Sequence, residues 1–216
     1  MEEVHFKYVN HCHNQIEKIL DAAENLFIEK GVKATSISDI ANESRMMRST
    51  LYKYFKNKDE ILWALQYRKM QHIGNRITDK QKETHLSTYQ KFELFLQILY
   101  DGFLDCPKDY LFLDLFNKIY QKETTSPENS VYSRTFKDGD FGSRDSMLFL
   151  TENFHDGSVK ENLVPEETAV SIIYAALGIL SKFGNNIFWL PKKYGIETSQ
   201  LIQTCFKILL DGIRND

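Results

Sequence analysis

With 216 residues, a net charge of −3, 42% hydrophobic and 26% charged residues and only four prolines, the composition is that of an ordinary globular chain. It excludes a disordered, fibrous or uniformly basic protein, and the length fits one medium domain or a small domain joined to a larger one. The opening MEEVHFKYVNHCHN lacks the basic-then-apolar order of a secretory leader, and no run reaches the roughly 18 uninterrupted apolar residues of a membrane span, so a cytoplasmic protein without a membrane partner is expected.

Helical spacing dominates the chain, and strand-like alternation is absent. From about His11 to Lys30, the residues Ile16, Ile19, Leu20, Ala23, Leu26 and Phe27 recur at three- and four-residue steps and predict an amphipathic helix. Gly31 supplies its stop, because glycine takes the left-handed conformation just past a helix end. In TSISDIA, over 35–41, either hydroxyl can cap a short second helix, and Asp39 stands three residues after Ser36 as in a capping box, with the shorter acid. The pattern restarts at Ser49-Thr50-Leu51-Tyr52-Lys53-Tyr54-Phe55. There Leu51 and Phe55 lie one turn apart, and Arg48, Ser49, Tyr52 and Lys53 lie off that face. Asp59 and Glu60 open a fourth helix, where the helix dipole favours acids. Further helices are expected over about 59–78, 88–104, 107–122, 143–155, 166–186 and 197–213. Thr124–Gly142, carrying TTSPENS and KDGDFG, is expected to be a long connection with room for a helical turn.

Positive charge is local rather than global. The first 62 residues carry nine Lys/Arg against ten Asp/Glu, yet Ser44–Lys58 holds Arg45, Arg48, Lys53, Lys56 and Lys58 and no acid. For nucleic-acid binding such clustering outweighs the net total. Three short helices in the first 56 residues, the second and third joined by about four residues, form the arrangement that props a recognition helix for the major groove.

The run TSISDIANESRMMRSTLYKYFKNKDEIL, over 35–62, resembles the DNA-binding domain of the TetR family of bacterial regulators, most densely over Thr50–Glu60. The resemblance implies an all-α protein with a helix-turn-helix domain over 1–58 and a larger effector-binding and dimerisation domain over 59–216. It implies a sequence-specific transcriptional regulator, in the family's common mode a repressor released from its operator by a small molecule, and not an enzyme. By position, Tyr52, Tyr54 and Lys58 are the expected phosphate contacts, and Arg48, Ser49, Thr50 and Lys53 occupy the recognition-helix positions that approach base edges. Tyrosine hydroxyls and lysine set register on phosphates, while an arginine fork reads guanine, worth about 1–3 kcal/mol of discrimination. Ser36 and Ser38 are expected as further phosphate donors. The family's usual pattern has glycine where Arg45 stands and a capping residue where Met47 stands. If the turn is kept, Arg45 must take a positive φ, at a cost of roughly 1–2 kcal/mol, and Met47 leaves the recognition helix uncapped, a loss of about 1 kcal/mol. Those departures leave room for an alternative, a helical ligand-binding or interaction protein that has lost specific DNA binding.

The last two helices carry the apolar stripes Val170, Ile173, Leu177, Leu180 and Ile202, Cys205, Phe206, Leu209, Ile213. In the resembled family such helices build a four-helix dimer interface, so Val170, Ile173, Leu177, Leu180, Ile202, Phe206 and Leu209 are the expected interface. A homodimer is also what a near-palindromic double-stranded operator favours. Residues 63–216 hold twelve Phe, eight Tyr and two Trp. The resemblance places a small-molecule pocket among them, with Phe92, Phe95, Tyr100, Phe103, Phe112, Phe116, Tyr120 and Phe149 as candidates. An apolar effector is expected, with no cofactor. Cys12, Cys106 and Cys205 are widely spaced and read as reduced thiols. His11-Cys12-His13 cannot converge on one ion from a helix, so no metal is expected. No nucleophile-base pair or phosphate loop marks an enzyme.

Overall fold

A computed structural model describes residues 2–80, 85–119 and 143–215. Ten helices occupy them: α1 Glu2–Lys30, α2 Ile37–Glu43, α3 Arg48–Tyr54, α4 Lys58–Lys80, α5 Thr88–Asp105, α6 Pro107–Ile119, α7 Ser143–Thr151, α8 Pro165–Gly184, α9 Trp189–Tyr194 and α10 Thr198–Ile213. The only extended pairing among the described residues is an isolated antiparallel bridge between Val159 and Arg214. The fold is all-α, as expected. The expected connection over 124–142 lies outside the described residues, as do Tyr120 and the end of the helix expected over 107–122.

Two units divide the described chain, one holding residues 2–68 and the other 69–118 with 143–215. In the first, Ile19, Leu20, Ala23 and Phe27 of α1, Ile40 and Ala41 of α2, Leu51 of α3 and Phe55 beyond it, and Ile61, Leu62 and Leu65 of α4 are all buried. These are residues at helical spacing on amphipathic faces, so burial follows the sequence period. Helix α1 begins at Glu2, nine residues before the start its apolar stripe suggests.

The second unit is built around α5, whose Phe92, Phe95, Leu96, Leu99 and Phe103 enter one core with Ala169, Ile172, Ala176 and Leu180 of α8 and Ile202, Phe206 and Ile213 of α10. A capping box between Ser87 and Gln90 starts α5. Asp156 accepts from the Thr88 backbone N–H at 2.6 Å, and the Ser158 hydroxyl accepts from that of Tyr89 at 3.0 Å. These bonds satisfy N–H groups that a helix start leaves open. Helix α7 ends at Thr151, four residues short of the expected 155, because the chain turns through Asn153 at φ 53. Helix α9 was not expected, since its six residues are too few to show a period. Helix α8 is long and apolar enough to cross a membrane by length and composition. Its Ala169, Ile172, Ala176 and Leu180 are nonetheless packed in the core, and Glu166, Glu167 and Lys182 stand at its ends, which is the pattern of an amphipathic core helix.

Candidate nucleic-acid interface

Gly31 ends α1 at φ 83. In the loop that follows, the buried Thr35 hydroxyl donates to the Gly31 carbonyl at 2.9 Å. Ser36 then caps α2 reciprocally: its hydroxyl accepts from the Asp39 N–H at 3.1 Å, and its own N–H donates to the Asp39 carboxylate at 2.8 Å. The shorter acid completes the box after all. Hydrogen bonds to its carboxylate from the Ser36 backbone N–H and then from the Ser36 side chain, together with Lys30 at 3.1 Å, lower the Asp39 pKa to about 2.

After α2 the chain makes a Schellman turn. The Met46 N–H reaches the Ala41 carbonyl at 2.8 Å and the Arg45 N–H reaches Asn42 at 3.0 Å, which requires a left-handed residue between the two. Arg45 is that residue, at φ 55. Met47 occupies the N-cap of α3 with no side-chain cap bond and is 73% exposed. Both costs anticipated from the sequence are present. Arg45→Gly is therefore expected to stabilise the N-terminal unit by about 1 kcal/mol by removing the left-handed strain, and Met47→Ser by about as much by supplying a cap. Thermal melts should show each variant rising by roughly 2–4 °C, and a fall for Arg45→Gly would contradict the strain.

Helix α3 is short because Phe55 leaves helical geometry, at φ −134 and ψ 126, to enter the core. The Lys56 N–H donates to Glu60 at 2.8 Å and the Glu60 N–H to Asn57 at 2.9 Å, closing the turn into α4. With Leu51 buried, Arg48, Ser49, Tyr52 and Lys53 are exposed on α3, and Thr50 and Tyr54 are half-buried. Arg48 lies along Tyr52, donating to its hydroxyl at 3.2 Å with the guanidinium carbon 5.5 Å from the ring centroid. This pairing fixes the direction of two long side chains on the outer face of α3. Ser36 is exposed and Ser38 half-buried. Lys58 does something that spacing could not show: its ammonium donates to the carbonyls of Val32 at 2.6 Å and Thr35 at 2.9 Å, clamping the α1–α2 loop and leaving one of its three donors.

Arg68 is a structural residue missed in the sequence. It bonds Glu17 at 2.9 Å, Asp21 at 2.7 Å and Glu24 at 2.8 Å. Burial alone would lower the guanidinium's affinity for its proton, and these carboxylates outweigh it. The available signal was the spacing of the three acids, which lie on one face of α1.

Residues 19–65 match the family described as bacterial regulatory proteins, tetR family. Over 151 residues, 68% of this chain and 75% of the relative, the sequence is 26% identical to the icaADBC biofilm-operon HTH-type negative transcriptional regulator IcaR of Staphylococcus epidermidis. It is 38% identical over 60 residues to an HTH-type transcriptional repressor of Mycobacterium tuberculosis, a match covering 28% of this chain and 30% of that one. Residues 19–65 form a DNA-binding domain of the TetR family type. With that domain the protein is a DNA-binding transcriptional regulator and not an enzyme. The crystal structure of the regulator FadR from Bacillus subtilis in complex with stearoyl-CoA aligns over 92% of this chain and 99% of its own, with a TM-score of 0.60 and 23% identity, so the shared fold includes the second unit.

The remaining expected residues lie in that second unit. Phe92, Phe95, Tyr100, Phe103, Phe112 and Phe116 are buried and Phe149 is half-buried. Edge-to-face packing joins Phe92 to Phe154, with centroids 6.2 Å apart, and Phe103 to Tyr110 at 5.8 Å, while Phe112 and Phe116 are tilted at 6.3 Å. On α8 and α10, Leu180, Ile202 and Phe206 point into the subunit's own core. Ile173, Leu177 and Leu209 are half-buried, and Val170 is exposed. The outer face of these helices is made instead of Val170, Tyr174 and Ile208, 41%, 74% and 64% exposed.

Proposed function

We propose that the protein is a dimeric repressor that binds a near-palindromic operator through α3 and is released by an apolar small molecule held in the second unit. The observation carrying this reading is the outer face of α3, where Arg48 and Tyr52 are exposed, paired and held on a helix whose opposite side is locked into the core by Leu51. Arg48, Ser49, Thr50 and Lys53 are assigned to base edges, and Ser36, Ser38, Tyr52, Tyr54 and the remaining donor of Lys58 to phosphates. The head is assigned to 1–58 and the effector and dimer domain to 59–216. Dimerisation is assigned to the outer faces of α8 and α10, with Val170, Tyr174 and Ile208 leading. Repression is supported by the names of IcaR and of the M. tuberculosis repressor, and an apolar effector by the stearoyl-CoA held by B. subtilis FadR and by the aromatic interior here.

Selection of bound sequences from random duplex DNA tests this. A near-palindrome should be enriched, with affinity falling steeply as salt rises because phosphate contacts release counterions. Arg48→Ala with Tyr52→Phe should weaken operator binding roughly 10- to 100-fold. No enrichment with folded protein would sink operator binding and favour the interaction-module alternative.

A further inference from the structure

Among the described side chains of residues 11–68, two large hydrophobics are exposed, Met47 at 73% and Tyr52 at 42%. Tyr52 is engaged, since its hydroxyl accepts from Arg48 and its ring lies under that guanidinium. Met47 makes no side-chain cap bond, and it serves the helix through its backbone carbonyl, which accepts from the Thr50 N–H at 2.9 Å and the Leu51 N–H at 3.2 Å. The residue before it, Met46, takes the inward direction: it is half-buried and lines the cleft between α1 and the turn with Ala22 and Asn25. Two adjacent methionines therefore divide, one toward the domain and one away from it.

An outward methionine here brings the folded chain no stability. The N-cap favours Ser, Thr, Asp or Asn, whose oxygen would satisfy an N–H of the first turn, and an exposed apolar side chain gains nothing from burial. The position is also one where the helix meets DNA, because the N-terminal residues of a recognition helix face base edges in the major groove. A thioether has no donor and is only a weak acceptor, so it takes no part in the hydrogen-bond code there. The apolar group that base edges offer in that groove is the C5-methyl of thymine. Consecutive Cα atoms are about 3.8 Å apart and stacked base pairs about 3.4 Å, so Met47 and Arg48 reach neighbouring pairs.

We propose that Met47 is a specificity residue whose side chain packs on the C5-methyl of a thymine in each half-site, in the base pair next to a guanine held by Arg48. This rests on the reading of α3 as the operator-binding helix and adds an apolar base contact to the polar ones assigned there. Cytosine at the same place would offer no methyl and would leave its N4 amino donor against a side chain that cannot accept from it. Both effects favour thymine. The unbranched, flexible methionine side chain can adapt its rotamer to the methyl.

The full chain, with a duplex first selected by it from random DNA, tests this. Each thymine of the selected half-site is replaced in turn by deoxyuridine, which deletes the methyl and keeps every donor and acceptor. One thymine per half-site should respond, with Kd rising about 4-fold for one half-site and about 15-fold for both, the effect of one buried methyl at each. Met47→Ala should bind the thymine and uracil duplexes equally, and Met47→Leu should keep the discrimination. Met47→Ser should bind the thymine duplex roughly 10-fold more weakly while melting at a higher temperature, so loss of folding could not account for the weaker binding. A wild type indifferent to every uracil, or a uracil effect unchanged in Met47→Ala, would overturn the thymine contact and leave operator binding intact. Failure of the folded wild type to select any sequence would overturn the operator reading itself, and the thymine contact with it.

Discussion

Replacing Lys69 with methionine is expected to destabilise the C-terminal unit by about 3 kcal/mol, because it takes the cation from a carboxylate that stays inside the protein. Lys69 and Asp109 are 6% and 2% exposed and 2.7 Å apart. Asp109 also accepts from Cys106 at 3.3 Å and lies 2.5 Å from His72 Nδ1. Thermal melts should register the change as a fall of roughly 10 °C. Adding Asp109→Leu should recover most of the loss, since a buried ion pair exchanged for packed apolar residues is often neutral to within a few kcal/mol. A double variant no more stable than Lys69→Met would show that the cost lies in packing rather than charge. Acid gives a second readout. Burial pushes the Asp109 carboxyl up, but the bond and charge of Lys69, with His72 and Cys106, outweigh it and hold the carboxyl below its usual range. The unfolded chain then binds the proton more readily. The stabilisation is complete above the unfolded value of about 3.9 and is lost as pH falls through the lower folded one. Below about pH 4 the wild type should therefore lose stability faster than the double variant.

Arg68→Ala is expected to destabilise the N-terminal unit by about 2–3 kcal/mol, leaving Glu17, Asp21 and Glu24 close together without their shared cation. Glu24 is buried, its side chain only 8% exposed, and dominates the cost. Asp21, 67% exposed, adds little because water screens it. Arg68→Ala/Glu24→Gln should recover part of the loss in urea denaturation. Operator binding should follow the folded fraction of this unit, so the double variant should bind DNA more strongly than the single one at the same temperature. Equal weakness in both would place the role of Arg68 in its stem packing rather than its charge.

The DNA-binding helices were legible because local rules govern them. The Ser36–Asp39 box, the stop at Gly31 and the strained Arg45 turn each depend on residues within five positions, where spacing translates directly into hydrogen bonds. Lys58 shows the limit of that reading. Its position matches a phosphate contact, but two of its donors are bound to carbonyls more than 20 residues away, and only chain folding could bring those groups together. The same holds for Arg68 with α1 and for Lys69 with Asp109.

On α8 and α10 the period of the apolar residues was plain in the sequence, and so was the fact that each helix has a buried side. Which apolar residues face inward was not, because Val170 and Leu180 follow the same helical rule and differ only in what packs over them. The sequence by itself determined the helical class and a helix-turn-helix of the TetR family type, since these depend on near-neighbour geometry and on a dense local pattern. Tertiary structure alone decided that Leu180, Ile202 and Phe206 belong to the core while Tyr174, Ile208 and Phe188 remain on the surface. Burial is settled by the neighbours that arrive from elsewhere in the chain, and a periodic stripe carries no record of them.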